Sequence, residues 1–182
     1  MASPVSYRLE GIIGVITVDS PPVNALSHDV REGMFGAISE AQGDLSEAIV
    51  INCDGRTFFA GADITEFDKP LKDPGLPDLV KAIEASSKPM VAAIHGTALG
   101  GGFEVALASH YRCATPSAKV GLPEVKLGLL PGAGGTQRTT RLAGVKASLD
   151  LITSGVPIAA AKAESLGLID KIIDGNLLSG AI

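Results

Sequence analysis

Residues 90–114 read MVAAIHGTALGGGFEVALASHYRCA, and the order of patterns in this stretch sets the fold class. Met90 to Ile94 is a short, almost wholly apolar run after Lys88-Pro89, suited to a strand buried on both faces. Gly96 to Gly102 holds too much glycine to continue it. Phe103 to Ser109 reads as an apolar helix and Tyr111 to Ala114 as another strand. Strand, turn, helix and strand following so closely predict an α/β class with a largely parallel sheet.

Outward from this unit the same alternation recurs. Val5 to Leu9 and Ile12 to Val18 read as two strands joined at Glu10-Gly11 in a hairpin, and Ser20-Pro21-Pro22 interrupts them. Ser27 is a suitable N-cap for a helix running to about Gln42, weakened by Gly33 and Gly36. Ala48 to Asn52 is a buried strand, followed by a loop at Asp54-Gly55-Arg56. Residues 68–77 collect Asp, Lys, Gly and Pro70, Pro74 and Pro77, the pattern of a solvated, mobile segment. A helix is expected from about Asp78 to Ser86. Beyond the glycines at 132–135, apolar spacing predicts helices near Thr136 to Leu142, Val145 to Thr153 and Ala159 to Leu166. No sequence repeat of solenoid period and no low-complexity tract stands out.

The composition narrows the functional classes. The 182 residues, 46% of them apolar, suffice for one substantial core and suggest a single globular unit. A net charge of -5, with Lys and Arg scattered, argues against a nucleic-acid surface. Cys53 and Cys113 show no CxxC spacing and read as buried free thiols in a reducing compartment. The N-terminus lacks the pattern of a secretory signal and no run is long enough for a membrane span, so a soluble intracellular protein is expected. The 22 glycines against 4% aromatics suit a loop-rich binding site better than a helical bundle.

Three glycine-rich stretches lead into polar or acidic residues: Phe59 to Ile64, Leu99 to Glu104, and Leu122 to Gln137. Taken alone, each is satisfied by a tight turn. Gln137 stands where a dinucleotide fingerprint needs its third glycine, and the P-loop and nucleophile-elbow patterns are missing. His28, His95 and His110 have no metal-ligand spacing, and no metal is expected. Glu104 is flanked by Phe103, Val105 and Ala106, a setting that desolvates a carboxylate and raises its pKa toward the range useful for proton transfer. Glu124, between Pro123 and Val125, is in similar surroundings. Two carboxylates in apolar, glycine-rich contexts form a candidate acid/base pair.

With these motifs in order, the chain resembles the crotonase, or enoyl-CoA hydratase/isomerase, superfamily. The resemblance runs from Pro21-Pro-Val-Asn-Ala-Leu26 to Leu166-Gly-Leu-Ile-Asp170. Its most specific parts are Ala60-Gly-Ala-Asp-Ile64, Gly100-Gly-Gly-Phe-Glu104, and Pro123-Glu124 followed by Pro131-Gly-Ala-Gly-Gly-Thr-Gln137. Val120 to Gln137 is especially similar to the N-terminal hydratase part of multifunctional β-oxidation enzymes, which continue into a 3-hydroxyacyl-CoA dehydrogenase.

The resemblance implies a crotonase-like spiral of β-β-α units. It implies an enoyl-CoA hydratase adding water to 2-trans-enoyl-CoA, with Δ3-Δ2 isomerase activity as a companion. In that reading Glu104 activates water, Glu124 delivers a proton to Cα, and the N–H groups of Ala62 and Gly101 form an oxyanion hole. Ala60, Asp63, Ile64 and Gly132 would contact substrate, the Gly132 N–H helping to hold the water. No cofactor is implied, because coenzyme A belongs to the substrate. Members of the family usually carry a further helical region, so residues 1–182 are expected to be a fragment of a longer chain that carries the dehydrogenase. Self-association, and a bacterial cytoplasmic or peroxisomal location, go with the resemblance. A different crotonase-type reaction and a non-catalytic acyl-CoA-binding fragment are the competing readings.

Overall fold

The computed structural model describes residues 3–66, 69–70 and 72–182. Strands β1 (Val5–Glu10) and β2 (Ile13–Val18) form the expected antiparallel hairpin. The chain then crosses through helix α1 (His28–Gly43) to β3 (Ala48–Cys53), parallel to β2. Helix α2 (Leu76–Glu84) makes the second crossover, to β4 (Met90–Ile94). It begins two residues before the expected start, because Pro77 fits the first helical turn and Asp78 Oδ2 accepts the N–H of Gly75 at 3.1 Å. Of the segment 68–77, Asp68 and Leu71 lie outside the described residues.

From β4 the chain turns a corner into a short strand, β5 (Thr97–Leu99), and then helix α3 (Gly101–Ala108). It repeats the move through β6 (Tyr111–Ala114), β7 (Lys119–Gly121), a 3-10 turn (Pro123–Leu127) and helix α4 (Gly135–Ser154). The first strand of each pair joins a large sheet and the second a small one. With β8 (Ile158–Ala159), helix α5 (Ala160–Ser165), β9 (Lys171–Ile172) and helix α6 (Leu177–Ala181), the sheets have the orders β1-β2-β3-β4-β6-β9 and β5-β7-β8. The large sheet is parallel beyond its first hairpin, while the small one pairs β5 with β7 in parallel and β7 with β8 antiparallel.

This is a β-β-α spiral, and one more turn of it is made without a regular strand. Residues 57–62 run beside β5: Phe58 N donates to His95 O at 2.9 Å and Leu99 N to Phe59 O at 3.0 Å, while Thr57 Oγ1 bonds to Thr97 O at 2.8 Å. The buried Asn24 fastens the start of this run, its Nδ2 donating to the carbonyls of Asp54 and Thr57 at 2.8 Å each. Between the sheets and helices lies one connected core that includes Ile16, Ile49, Ile51, Phe58, Phe59, Met90, Ile94 and Phe103, all fully buried. Cys53 and Cys113 are buried free thiols. No helix among the described residues is long and apolar enough to cross a membrane.

Candidate active site

The spiral delivers its polar groups to one place, because each turn ends at the same edge of the small sheet. Ala62 follows the 57–62 run, Gly101 follows β5, and Glu124 follows β7. The three line a cavity of about 320 Å³ with Ala60, Gly61, Ile64, Leu76, Glu104, Leu130 and Gly132. Its walls are otherwise mainly apolar, which strengthens any electrostatic contact made inside. A larger space of about 480 Å³, between the end of α4 and α5, has Lys146, Asp150 and Lys162 as the charged residues of its lining, the first two forming an exposed ion pair at 2.9 Å. Size therefore does not pick out the chemically equipped site.

Glu104 sits in the first turn of α3 and is 2% exposed. Its Oε1 accepts the N–H of Ala133 at 2.7 Å and of Gly135 at 2.8 Å. Those donors lie at the start of α4, where main-chain N–H groups have no partner within their own helix. Burial raises the Glu104 pKa, and the Gly135 and Ala133 N–H groups and the Arg138 charge oppose the rise. A side chain at residue 135 would stand 3.0 Å from Glu104 Oε1, so glycine there allows the close approach.

Glu124 lies in the 3-10 turn and is held differently. Its Oε2 is buried with no hydrogen-bond partner among the described residues. Burial pushes its pKa up to about 7; its own backbone N–H lowers it and the neighbouring Glu104 charge raises it further. The carboxylate packs on the backbone of Gly100, whose φ of 51° and lack of Cβ suit this contact.

The amides of Ala62 and Gly101 are close neighbours on the cavity wall. A Cβ on Gly101 would be 3.5 Å from Ala62 N, and neither N–H donates to a main-chain carbonyl among the described residues. Of the remaining candidates, Ala60, Ile64 and Gly132 line the cavity. Asp63 does not, since its Oδ1 accepts the Thr65 N–H at 2.9 Å and stabilises the short 3-10 turn Ile64–Glu66. Sequence reading missed Ala133 and Gly135 as the donors to Glu104. It also missed Arg138, whose Nη1 donates to Ala133 O at 2.9 Å. The glycine cluster at 132–135 was the available signal, but which of its N–H groups face a carboxylate depends on where α3 lies.

The family model for enoyl-CoA hydratase/isomerase matches residues 8–180. The chain belongs to the enoyl-CoA hydratase/isomerase family. Among relatives, it is 49% identical over 172 residues to the peroxisomal bifunctional enzyme of Danio rerio, covering 93% of this chain and 24% of that protein. It is 43% identical over 173 residues to a probable enoyl-CoA hydratase of Bacillus subtilis, covering 91% of this chain and 67% of the other. Among solved structures, an enoyl-CoA hydratase from Bacillus anthracis superposes with a TM-score of 0.88 at 30% identity, covering 97% of this chain and 72% of that one. The crotonase fold expected from the resemblance is the fold observed. The chain spans about a quarter of the length of the bifunctional relative.

Proposed function

We propose that this chain is the hydratase part of a β-oxidation enzyme, adding water across the 2,3-double bond of a 2-trans-enoyl-CoA to give the 3-hydroxyacyl-CoA. The observation that carries this reading is the convergence of Glu104, Glu124 and the Ala62 and Gly101 amides on one cavity. In the proposed step the thioester oxygen accepts hydrogen bonds from the two amides. Water loses a proton to Glu104 as its oxygen bonds to Cβ. The electron pair displaced from the double bond passes through an enolate-like state, whose charge the amides stabilise, and Glu124 supplies the proton to Cα.

The environments favour this division. Two N–H donors on one oxygen favour the ionised form of Glu104, which suits a base. Glu124, with an oxygen that has no donor among the described residues and a pKa pushed up to about 7, is substantially protonated at neutral pH and suits an acid. No cofactor enters, coenzyme A being part of the substrate. The product is the substrate class of a 3-hydroxyacyl-CoA dehydrogenase, and a longer chain carrying one fits the bifunctional relative. The compartments in keeping with this reading are the peroxisome and the bacterial cytoplasm.

The raised pKa of Glu124 also favours a second activity, moving a proton between carbons of a 3-enoyl-CoA. Product analysis with 2-enoyl and 3-enoyl thioesters in isotopically labelled water tests both. Hydration places the labelled oxygen at C3 of the 2-enoyl substrate, and failure to form that product refutes the hydratase reading. Conversion of the 3-enoyl to the 2-enoyl thioester tests the companion activity.

A further inference from the structure

Four elements meet around Arg138 in a way that hydration through Glu104 and Glu124 does not by itself require. Arg138, in the first turns of α4, donates from Nη1 to Ala133 O at 2.9 Å and from Nη2 to Glu84 Oε2, at the end of α2, at 2.8 Å. The peptide unit on the other side of Ala133 gives its N–H to Glu104 Oε1 at 2.7 Å. A single residue is thus gripped from both ends, by a guanidinium at its carbonyl and by the buried carboxylate at its N–H. The Arg138 side chain is 14% exposed and Glu84 is 53% exposed, so the anchor point reaches solvent while the gripped residue, Ala133, is buried.

We propose that Arg138, tethered by Glu84, is a positioning residue. It fixes the Ala133–Gly135 loop so that two main-chain N–H groups hold Glu104 in the orientation from which it acts on water. The proposal rests on the hydratase reading for its effect on turnover, but not for its effect on the carboxylate. Planar two-point bonding is what distinguishes a guanidinium from an ammonium. Lys at this position keeps the charge and cannot hold both partners in the same geometry.

Glu104 faces Arg138 from α4 and Glu124 from the 3-10 turn. Arg138 is paired with Glu84, on which Arg141 and His110 also act, and Lys81 lines the adjoining surface cavity with Arg138. Removing Arg138 takes away a cation and loosens two donors, and both changes favour the protonated form of Glu104.

The test uses the full chain with the variants Arg138→Gln and Arg138→Lys. Titration of the Glu104 carboxyl is followed by carbon-13 NMR, the signal being identified by its loss in Glu104→Gln. In Arg138→Gln the midpoint is expected to move upward, and kcat for hydration to fall by about tenfold to a hundredfold with KM changed less than about twofold. Arg138→Lys is expected to fall between the two. An unmoved Glu104 midpoint in folded Arg138→Gln overturns the proposal, as does a loss confined to thermal stability. If Arg138→Gln does not fold, Arg138→Lys decides: kcat and midpoint both equal to those of the unsubstituted chain overturn it. Absence of hydration by the unsubstituted chain would sink the hydratase reading alone, and the titration would still judge the role of Arg138.

Discussion

At the start of α4 Glu104 gives one oxygen to two main-chain N–H groups, whereas in the 3-10 turn Glu124 keeps a buried oxygen with no donor among the described residues. Both carboxylates are raised by burial, so depth alone does not separate them. The donors do. Fixed N–H groups oppose the rise at Glu104, while Glu124, packed on a bare Gly100 backbone, is pushed up to about 7 and takes up a proton near neutrality. Two identical side chains on adjacent turns of one spiral are thereby suited to opposite halves of a proton-transfer reaction.

The largest expected contrast lies at Cα. In deuterated water, Glu124→Gln is expected to slow exchange of the α-protons of a saturated acyl-CoA by about 10²–10⁴-fold, and Glu104→Gln to leave the exchange within about tenfold of normal. Proton NMR of the thioester measures this, and equal losses in both variants would erase the division of labour. A smaller effect is expected from Gly135→Ala, whose added methyl meets Glu104 Oε1 at 3.0 Å. Turnover should drop by about tenfold to a hundredfold through misplacement of the carboxylate, while acyl-CoA binding persists.

Stability provides the finest distinction. The Glu124 pKa rises from 4.5 to about 7 on folding. The stabilisation from holding it neutral is therefore present below 4.5 and is lost as pH climbs through about 7. Glu124→Gln is expected to raise stability on the order of 1–2 kcal/mol at about pH 8 and to change it little at about pH 4. Glu104→Gln exchanges two charge-assisted bonds for neutral ones and should gain less. Thermal unfolding of both variants at the two pH values measures the difference, and equal gains would mean that the donors on Glu104 do not matter.

Much of this was legible in the residues, for reasons that also explain the gaps. The apolar runs at 48–52 and 90–94 announced central strands because a strand buried on both faces needs no polar alternation. The division of the long helix α4 was visible as two separate helices, Thr136 to Leu142 and Val145 to Thr153, and the break falls between them at Gly144 with φ 79°. The small sheet was not legible. Thr97–Leu99, Lys119–Gly121 and Ile158–Ala159 are too short to show a period, and the first lies inside what reads as a glycine-rich loop. Nor does the repeated corner from large to small sheet leave a repeat in the sequence, since it is made by backbone pairing rather than by side chains. Glu104 and Glu124 stood out by their apolar neighbours. Arg138 and Asn24 did not, because Asn24 holds carbonyls of residues distant in the sequence and Arg138 is tethered by the equally distant Glu84.

The most direct test is turnover of crotonyl-CoA by the full chain beside its Glu104→Gln and Glu124→Gln variants, with acyl-CoA binding measured on each. The expected result is rapid hydration by the unsubstituted chain and a fall of about 10²–10⁴-fold in each variant, with binding retained. Hydration at an undiminished rate after either substitution would contradict a mechanism in which both carboxylates of this cavity act on one double bond.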